Sequence, residues 1–351
     1  MLWTNTYCGK TSEPRLFEVA ADRPLALLQQ CPAYAPTPPQ DLPELAAAVG
    51  VASLTAKDET GRMRLGSFKA LGGAFAVAQL IAEAAGTTDL LGDSAKAAAA
   101  GMTFITASAG NHGLSLAAGA RVFGAGAVIV LCSSVPEAFA NRIRSLGAEV
   151  LRVEGTYEDS VAFAMEAADS NGWLLLADGS WEGYVERPAL VMEGYTVLAE
   201  ECRTGFAASG AWPTYVFLQA GVGGLAAAIA GHIRAHWHEQ PTIIVVEPEA
   251  APCLMASVQA GRLTRTHGPL SNMGRLDCKD ASLISYGSLC SDADGFMTVS
   301  DGEATAAADL LAQHGIATTP SGAAGLAGLR AVRPAADSRC LIIVSEGPEG
   351  N

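Results

Sequence analysis

The sequence predicts an α/β protein with two domains, each a mostly parallel twisted sheet flanked by helices. Apolar runs typical of buried strands, such as TFITA, AVIVLC and TIIVVE, alternate with amphipathic stretches of helical period. Glycine-bearing turns separate several of these runs from the helix that follows. The length of 351 residues corresponds to roughly two domains at about 150 residues each. Strands that alternate with helices imply right-handed crossovers around parallel sheets.

A first α/β series begins at Met102. It is predicted to run strand, turn, helix, strand, helix, strand, helix and strand, in the segments MTFITAS, AGNHG, LSLAAGARVFGA, AVIVLC, SSVPEAFANRIRSLG, EVLRVEG, EDSVAFAMEAADSNG and WLLLADGS. The preceding GDSAKAAAAG, residues 92–101, is predicted to be an exposed low-complexity connector.

A second series begins near residue 190. It is predicted to run helix, strand, turn, helix and strand, in the segments ALVMEGYTVLAEECR, TYVFLQAG, VGG, LAAAIAGHIRAHW and TIIVVEPE. The pattern weakens over residues 262–296, which we expect to form a lid or a wall of the substrate pocket. It resumes with a helix over residues 301–314 and a last strand, CLIIVS.

Composition excludes several function classes. Lys and Arg total 22 against 36 Asp and Glu, a formal net charge of −14, so no nucleic-acid partner is expected. The hydrophobic fraction is 50% and the charged fraction 17%, unlike a disordered chain. The most apolar stretch, residues 215–231, is short and interrupted by glycines, so no membrane span is expected. These features favour a soluble enzyme.

The N-terminal residues show no basic segment followed by an apolar one, which predicts a cytoplasmic protein without a secretory signal. The eight cysteines are scattered and form no CxxC pair, which favours reduced, buried thiols over disulfides. His232, His236 and His238 suggest a metal site, but no acidic or thiol residue adjoins them in the sequence. A solvated helix face, with no metal, is therefore the prediction for these histidines.

The first cluster with chemical potential is GSFKALGG, residues 66–73. Lys69 lies beside a polar turn and begins an apolar helix. A lysine that is partly desolvated at a helix N-terminus has a depressed pKa, which helps it to form a Schiff base. The alternative is an ordinary solvated lysine.

The second cluster, TASAGNHG at residues 106–113, lies between a predicted strand and helix. Backbone N–H groups and the helix dipole can hold a carboxylate there, while Ser108 and Asn111 add neutral hydrogen bonds. Alternatively, Ser108 and Asn111 cap the helix and His112 packs in the core.

The third cluster is the turn Gly221-Val222-Gly223-Gly224, again between a strand and a helix, where backbone N–H groups can cradle a phosphate. Because Gly221–Ala226 also satisfies GxGxxA and Glu247 ends the next strand, an NAD-binding Rossmann protein is an alternative. A fourth feature is Ser345, directly after the apolar LIIV.

These clusters, in this order, resemble the fold-type II pyridoxal-phosphate (PLP) enzymes, the tryptophan synthase β family. The likeness covers nearly the whole chain. Within the family, the most similar group is the diaminopropionate ammonia-lyases, through DGSWEGYVERPALVMEGYTVLAEE, FLQAGVGG, VVEPEAAPCL, SGAAGL and the run Met273–Cys278. The resemblance implies that PLP lies in the cleft between the two domains. It also implies a homodimer.

The resemblance assigns roles to individual residues. Lys69 would form the Schiff base with PLP and act as the only base at the substrate Cα, and Asp178 would interact with the leaving amino group as an acid or base. Alternatively, Asp178 caps the end of a strand or pairs with Arg187. The other implied contacts are Asn111 at the phenolic oxygen, Gly221, Val222, Gly223 and Gly224 at the phosphate, Ser345 at the pyridine nitrogen, and Ser108, Ala109, Gly110, Asn111 and His112 at the substrate carboxylate.

Since Lys69 and the late glycine turn must meet at one cofactor, the domains are not sequential halves. We expect a larger PLP-binding domain of residues 1–75 and 181–351, with residues 76–180 inserted as a smaller α/β domain. A neutral hydroxyl such as Ser345 beside the pyridine nitrogen favours elimination over transamination.

Two positions depart from related enzymes. Ammonia-lyases that accept both enantiomers read TDGNHG in the carboxylate loop, and their Asp serves the D-isomer; here the loop is SAGNHG, so Ala109 predicts a strong preference for the L-isomer. Thr319 stands in TPSG, where relatives often carry a glutamate.

The implied function, in amino-acid catabolism, is α,β-elimination of L-2,3-diaminopropionate to pyruvate and ammonia. SWEGY and Met273–Cys278 favour it. The alternative, favoured by SAGNHG, is a dehydratase of serine, threonine or another β-hydroxy amino acid. The NAD-binding alternative remains the more distant one.

Overall fold

The structure, a computed structural model, describes residues 2–9 and 15–348. Part of the N-terminal segment in which we found no secretory signal lies outside these residues. Within them, the strands are β1 (Leu2–Thr4), β2 (Gln40–Asp41), β3 (Ser53–Asp58), β4 (Thr103–Ala107), β5 (Gly126–Cys132), β6 (Glu149–Val153), β7 (Leu174–Leu175), β8 (Tyr215–Gln219), β9 (Thr242–Pro248), β10 (Gly295–Val299) and β11 (Arg339–Val344).

The helices of the described ranges are α1 (Asp22–Leu28), α2 (Pro43–Val49), α3 (Lys69–Ala85), α4 (Asp93–Ala100), α5 (Asn111–Phe123), α6 (Glu137–Ser145), α7 (Tyr157–Asn171), α8 (Glu186–Ser209), α9 (Gly224–His236), α10 (Cys253–Ala260), α11 (Leu283–Asp292), α12 (Asp301–Gln313) and α13 (Pro320–Val332). None of them is long and apolar enough to cross a membrane.

Two parallel-rich sheets confirm the predicted α/β class. The larger has the order β1-β10-β9-β8-β11-β3-β2, in which β1 and β2 are antiparallel edge strands and the others are parallel. The smaller has the parallel order β6-β5-β4-β7. All strands of the smaller sheet lie between residues 103 and 175, and the predicted boundary between residues 75 and 76 falls inside α3.

Strand order brings the predicted site segments together. β8 and β11 are neighbours in the larger sheet, and Gly221 and Ser345 follow their carboxyl ends. β4 and β7 are neighbours in the smaller sheet, and Ser108 and Asp178 follow theirs. In parallel α/β sheets this edge is where ligands bind.

Close packing of α3 places Lys69, its first residue. A Cβ on Gly72 would lie 2.4 Å from Cε1 of Tyr195, and one on Gly73 would lie 2.1 Å from Oγ of Ser115. Only glycine therefore lets α3 approach α8 and α5 this closely. The Ser115 hydroxyl also donates to the Lys69 carbonyl at 2.6 Å, which fixes the first turn of α3 against α5.

Three segments differ locally from what the sequence indicated. Residues 93–100 form helix α4 rather than a connector, because alanine is the strongest helix former and Ala95 and Ala99 are buried. Within 262–296 the chain forms all of α11 and begins β10, which the mixed composition concealed. Only Leu174–Leu175 of WLLLADGS pair as a strand.

The histidine prediction was also wrong in part. His232 is 1% exposed, with Nδ1 2.8 Å from the Val19 carbonyl and Nε2 3.2 Å from Glu200. His238 is exposed, as predicted. Across the described ranges, no group of three or more His, Cys, Asp and Glu side chains is arranged to hold a metal ion. The described structure has all eight cysteines as free thiols, of which half are only partly buried.

Candidate active site

Lys69 and Asp178 form an ion pair at the centre of the site. Nζ of Lys69 lies 2.5 Å from Oδ2 of Asp178, and the two side chains are 20% and 25% exposed. Burial lowers the pKa of Lys69, but the carboxylate of Asp178 raises it by more. The pKa of Lys69 therefore lies above its ordinary value. The predicted depressed pKa is therefore wrong for the protein without cofactor, because the sequence did not reveal the carboxylate that folding brings to this lysine.

Asp178 is held as an anion. Burial raises its pKa, but the positive charge of Lys69 and the hydrogen bond that Lys69 donates lower it well below its usual range. The alternative partner, Arg187, donates instead to the Leu175 carbonyl at 3.1 Å. Asp178 is therefore an ionised group that faces the lysine.

The loop after β4 is ordered by its own side chains. Oγ of Ser108 accepts hydrogen bonds from the N–H groups of Gly110 at 3.3 Å and Gly113 at 3.1 Å. His112 is 3% exposed and its Nε2 lies 2.8 Å from the Leu176 carbonyl. Burial lowers the pKa of His112, so its ring is neutral at pH 7 and donates through Nε2. This buried position fits the packing interpretation of His112 and ties the loop to the segment that carries Asp178.

Asn111 begins α5 and its amide donates to Oε2 of Glu346. Glu346 is 5% exposed and its Oε1 accepts from the Thr319 hydroxyl at 2.6 Å. Sequence analysis missed Glu346, although it directly follows Ser345. Thr319 occupies the position where relatives often carry a glutamate. Here the carboxylate that reaches this position is supplied by Glu346.

The run Met273–Cys278 lies against the same loop. Nη1 of Arg275 is 3.4 Å from the Ala109 carbonyl, and its Nε is 3.8 Å from Oε2 of Glu346. The backbone N–H of Arg275 donates to Oγ of Ser321 at 3.1 Å. Part of the segment that we expected to be a lid or wall therefore borders the site.

The turn after β8 has the shape of an anion cradle. Gly223 has a φ of +101°, which favours glycine, and a Cβ there would lie 2.8 Å from the Ser285 Cβ. A Cβ on Gly221 would lie 3.0 Å from Sγ of Cys278. The first N–H groups of α9 have no acceptor within the helix, and no side chain of the described chain caps it at Gly223. Such an end binds phosphate.

Ser345 meets the turn that precedes Lys69. Its carbonyl accepts from the Phe68 N–H at 3.1 Å, and the Gly347 N–H donates to the Gly66 carbonyl at 2.9 Å. Ser345 itself is 4% exposed. The structure thus brings Ser345 to the start of α3, which carries Lys69, and a Cβ on Gly224 would lie 4.0 Å from the carbonyl oxygen of Asp178, the partner of Lys69.

Comparison with known proteins identifies the family. The profile of the "Pyridoxal-phosphate dependent enzyme" family matches residues 31–346. The chain belongs to this family. This confirms the predicted family, enzyme class and cofactor.

Individual relatives of this PLP enzyme narrow the comparison. "Diaminopropionate ammonia-lyase" of Escherichia coli K12 is 34% identical over 314 residues, covering 87% of this chain and 79% of the relative. A crystal structure of the E. coli enzyme with an aminoacrylate-PLP azomethine intermediate superposes with a TM-score of 0.87 at 30% identity, over 99% of this chain and 93% of that one. Biosynthetic L-threonine dehydratase of Haemophilus influenzae is 32% identical over 68% of this chain and 44% of its own length.

The residues present fit PLP. Lys69 offers a primary amine, and the turn Gly221–Gly224 can adopt its conformation only with glycine at residue 223, where φ is +101° and a Cβ would collide with Ser285. Two buried polar atoms here, Oη of Tyr195 and Nδ1 of His112, have no hydrogen-bond partner within the described residues. Sequence analysis assigned no role to Tyr195, although it lies within the run DGSWEGYVERPALVMEGYTVLAEE that carries the resemblance.

The NAD-binding alternative is wrong. Glu247, its required acidic residue, is fully buried and accepts the N–H groups of Leu254 and Met255, each at 2.8 Å. Both oxygens of Glu247 accept from the first turn of α10, and because the side chain is 0% exposed, a ribose cannot reach it. The family match excludes the alternative independently.

Proposed function

We propose that this PLP enzyme is a lyase that converts L-2,3-diaminopropionate to pyruvate and ammonia by α,β-elimination. The observation that carries the proposal is the ionised carboxylate of Asp178, 2.5 Å from Nζ of Lys69. The similarity to the diaminopropionate ammonia-lyase of E. coli supports the same substrate.

Lys69 would hold the cofactor through Nζ and, as a free amine, accept the proton from the substrate Cα. The bound cofactor supplies the electron sink that makes this proton acidic. The first turn of α3 is fixed by the Ser115 hydroxyl, so Nζ starts from a defined backbone position. Asn111 and Ser345 would contact the ring, and Gly221, Val222, Gly223 and Gly224 would hold the phosphate.

Asp178 distinguishes an amino from a hydroxyl leaving group. An anionic carboxylate binds the ammonium of the substrate side chain and holds it where the C–N bond breaks. A hydroxyl leaving group instead needs a proton from an acid, which an ionised Asp178 cannot supply, whereas an ammonium leaving group already carries its proton. Asp178 therefore favours the diamine.

The carboxylate loop would orient the substrate. Ser108, Gly110, Asn111 and His112 stand at the N-terminal end of α5, whose dipole attracts an anion. Ala109 supplies no carboxyl for a second proton abstraction, so we infer a strong preference for the L-isomer.

A substrate panel tests the proposal. Holoenzyme is given L- and D-diaminopropionate, L-serine, L-threonine and 3-hydroxyaspartate, and the release of oxo acid is measured for each, with Lys69→Ala as the inactive control. Turnover of L-diaminopropionate at the highest kcat/KM supports the proposal. Turnover confined to the hydroxy amino acids would replace it.

A second candidate function is a dehydratase of β-hydroxy amino acids. Ala109 in SAGNHG favours it, as does the similarity to the biosynthetic threonine dehydratase. The same panel separates the two functions when ammonia is measured beside the oxo acid, because turnover of a β-hydroxy amino acid releases one ammonia for each oxo acid and turnover of diaminopropionate releases two.

We further propose a cytoplasmic homodimer with a PLP-binding domain of residues 1–75 and 181–351 and an inserted domain of residues 76–180. The eight free thiols support a reducing compartment, and the separate smaller sheet supports the insertion. Cell fractionation, light scattering and limited proteolysis test the three parts. A periplasmic location, a monomeric mass or cleavage at other boundaries would overturn the respective part.

A further inference from the structure

We propose that the hydroxyl of Tyr195 donates a hydrogen bond to the phosphate of the bound cofactor and so completes the phosphate cradle. Tyr195 lies on α8 and is 1% exposed, and its Oη has no hydrogen-bond partner within the described part of the chain. Buried hydroxyls in native proteins are almost always paired. An unpaired one at a cofactor site indicates that the missing partner is a ligand atom.

The position of the ring supports this partner. A Cβ on Gly72 would lie 2.4 Å from Cε1 and 2.8 Å from Cζ of Tyr195, and a Cβ on Gly224 would lie 3.7 Å from Cε2. The hydroxyl end of the ring is therefore held between the first turn of α3, which carries Lys69, and the first turn of α9. Phe68 packs against the ring at a centroid distance of 4.9 Å and fixes its orientation.

The chemistry also fits an anion. Burial raises the pKa of Tyr195 to about 12, so the phenol keeps its proton at pH 7 and is a donor. Lys69 opposes part of this rise in pKa, but its Nζ is a cation that donates to Asp178 and has no lone pair with which to accept the phenol proton. A phosphate at the N-terminus of α9 offers acceptor oxygens, and a hydrogen bond to an ionised group is stronger than a neutral one.

The proposal rests on PLP binding alone and not on the identity of the amino-acid substrate. The test uses apoprotein and the isosteric variant Tyr195→Phe, and it compares PLP with pyridoxal, which lacks the phosphate. Affinity is measured from the visible absorbance of the Schiff base that each forms with Lys69. The dissociation constant for PLP should rise about tenfold in the variant, equivalent to about 1.4 kcal/mol, while that for pyridoxal stays the same.

The thermal stability of the apoprotein tests the same proposal independently. Because the hydroxyl is unpaired without cofactor, its removal should leave the Tm of the apoprotein unchanged or raise it. Inorganic phosphate should raise the Tm of the wild-type apoprotein more than that of Tyr195→Phe.

Tyr184→Phe is the matched control. The Tyr184 hydroxyl donates to the Leu175 carbonyl at 2.9 Å and accepts from the Ala177 N–H at 3.1 Å, so its loss should lower the Tm without changing the ratio of the two affinities. An equal loss of PLP and pyridoxal affinity in Tyr195→Phe would show that Tyr195 acts on the lysine or the ring. A lower apoprotein Tm with unchanged PLP affinity would show a structural role. Either outcome overturns the proposal, and neither depends on the substrate.

Discussion

Asp178→Asn tests the role of the charged carboxylate. Asparagine keeps the shape and one acceptor oxygen but removes the charge that binds an ammonium. The side chain is only 25% exposed, so the lost contact lies in the upper part of the range for hydrogen bonds to charged groups, about 2–3 kcal/mol. At about 1.4 kcal/mol per factor of ten, kcat/KM for L-2,3-diaminopropionate should fall about 30- to 150-fold.

The assay compares this substrate with 3-chloro-L-alanine, whose chloride leaves without an ammonium contact or a proton. The variant should retain most of its activity on the chloro substrate, with the Tm and the visible absorbance of the holoenzyme recording its integrity. Asp294→Asn is the matched control, since Asp294 also pairs with a cation, Arg234 at 2.6 Å, but away from the site. Equal losses on both substrates in Asp178→Asn would refute the assigned role.

Three further predictions follow from single contacts. Ala109→Asp should add turnover of D-diaminopropionate, because it supplies the missing carboxyl, whereas Ala109→Asn should not. Equal activity of the wild type on the D- and L-isomers would contradict the predicted L-preference. Gly73→Ala should lower the Tm, at a cost of about 1–3 kcal/mol, because the new methyl group would lie 2.1 Å from Oγ of Ser115, and adding Ser115→Ala should recover part of the loss. Burial raises the pKa of Glu247 from 4.5 to about 8. Between these two pH values Glu247 keeps its proton in the folded protein but has lost it in the unfolded chain. Stability should therefore fall as pH rises from 5 to 8 in the wild-type apoprotein and fall less in Glu247→Gln, measured by Tm; parallel pH profiles would count against it.

Local sequence pattern and chain order were sufficient to predict the strand, turn and helix units that carry the site. The runs around residues 102–113 and 215–231 fold as strand, turn and helix because a short apolar run followed by glycine and a helical period specifies that unit locally. Helix α4 was missed because its alanines carry no periodic contrast, although their helix propensity is high.

Contacts between distant segments could not be predicted in the same way. Lys69 and Asp178 are 109 residues apart, and the effect of one charge on the pKa of the other depends on a distance that only the fold defines. Neither Glu346 nor Tyr195 received a role from the sequence, since Glu346 follows the end of β11 without a motif of its own and Tyr195 lies in a run that indicated only the family. Their relevance appears only when Asn111 and Gly224 are placed beside them.

The ratio of ammonia to pyruvate produced from L-2,3-diaminopropionate by the holoenzyme tests the central claim most directly. Elimination of the side-chain amine followed by hydrolysis releases both nitrogens, so the account predicts two ammonia for each pyruvate and no product with Lys69→Ala. The absence of pyruvate from this substrate, while serine or threonine yields one ammonia for each oxo acid, would contradict it.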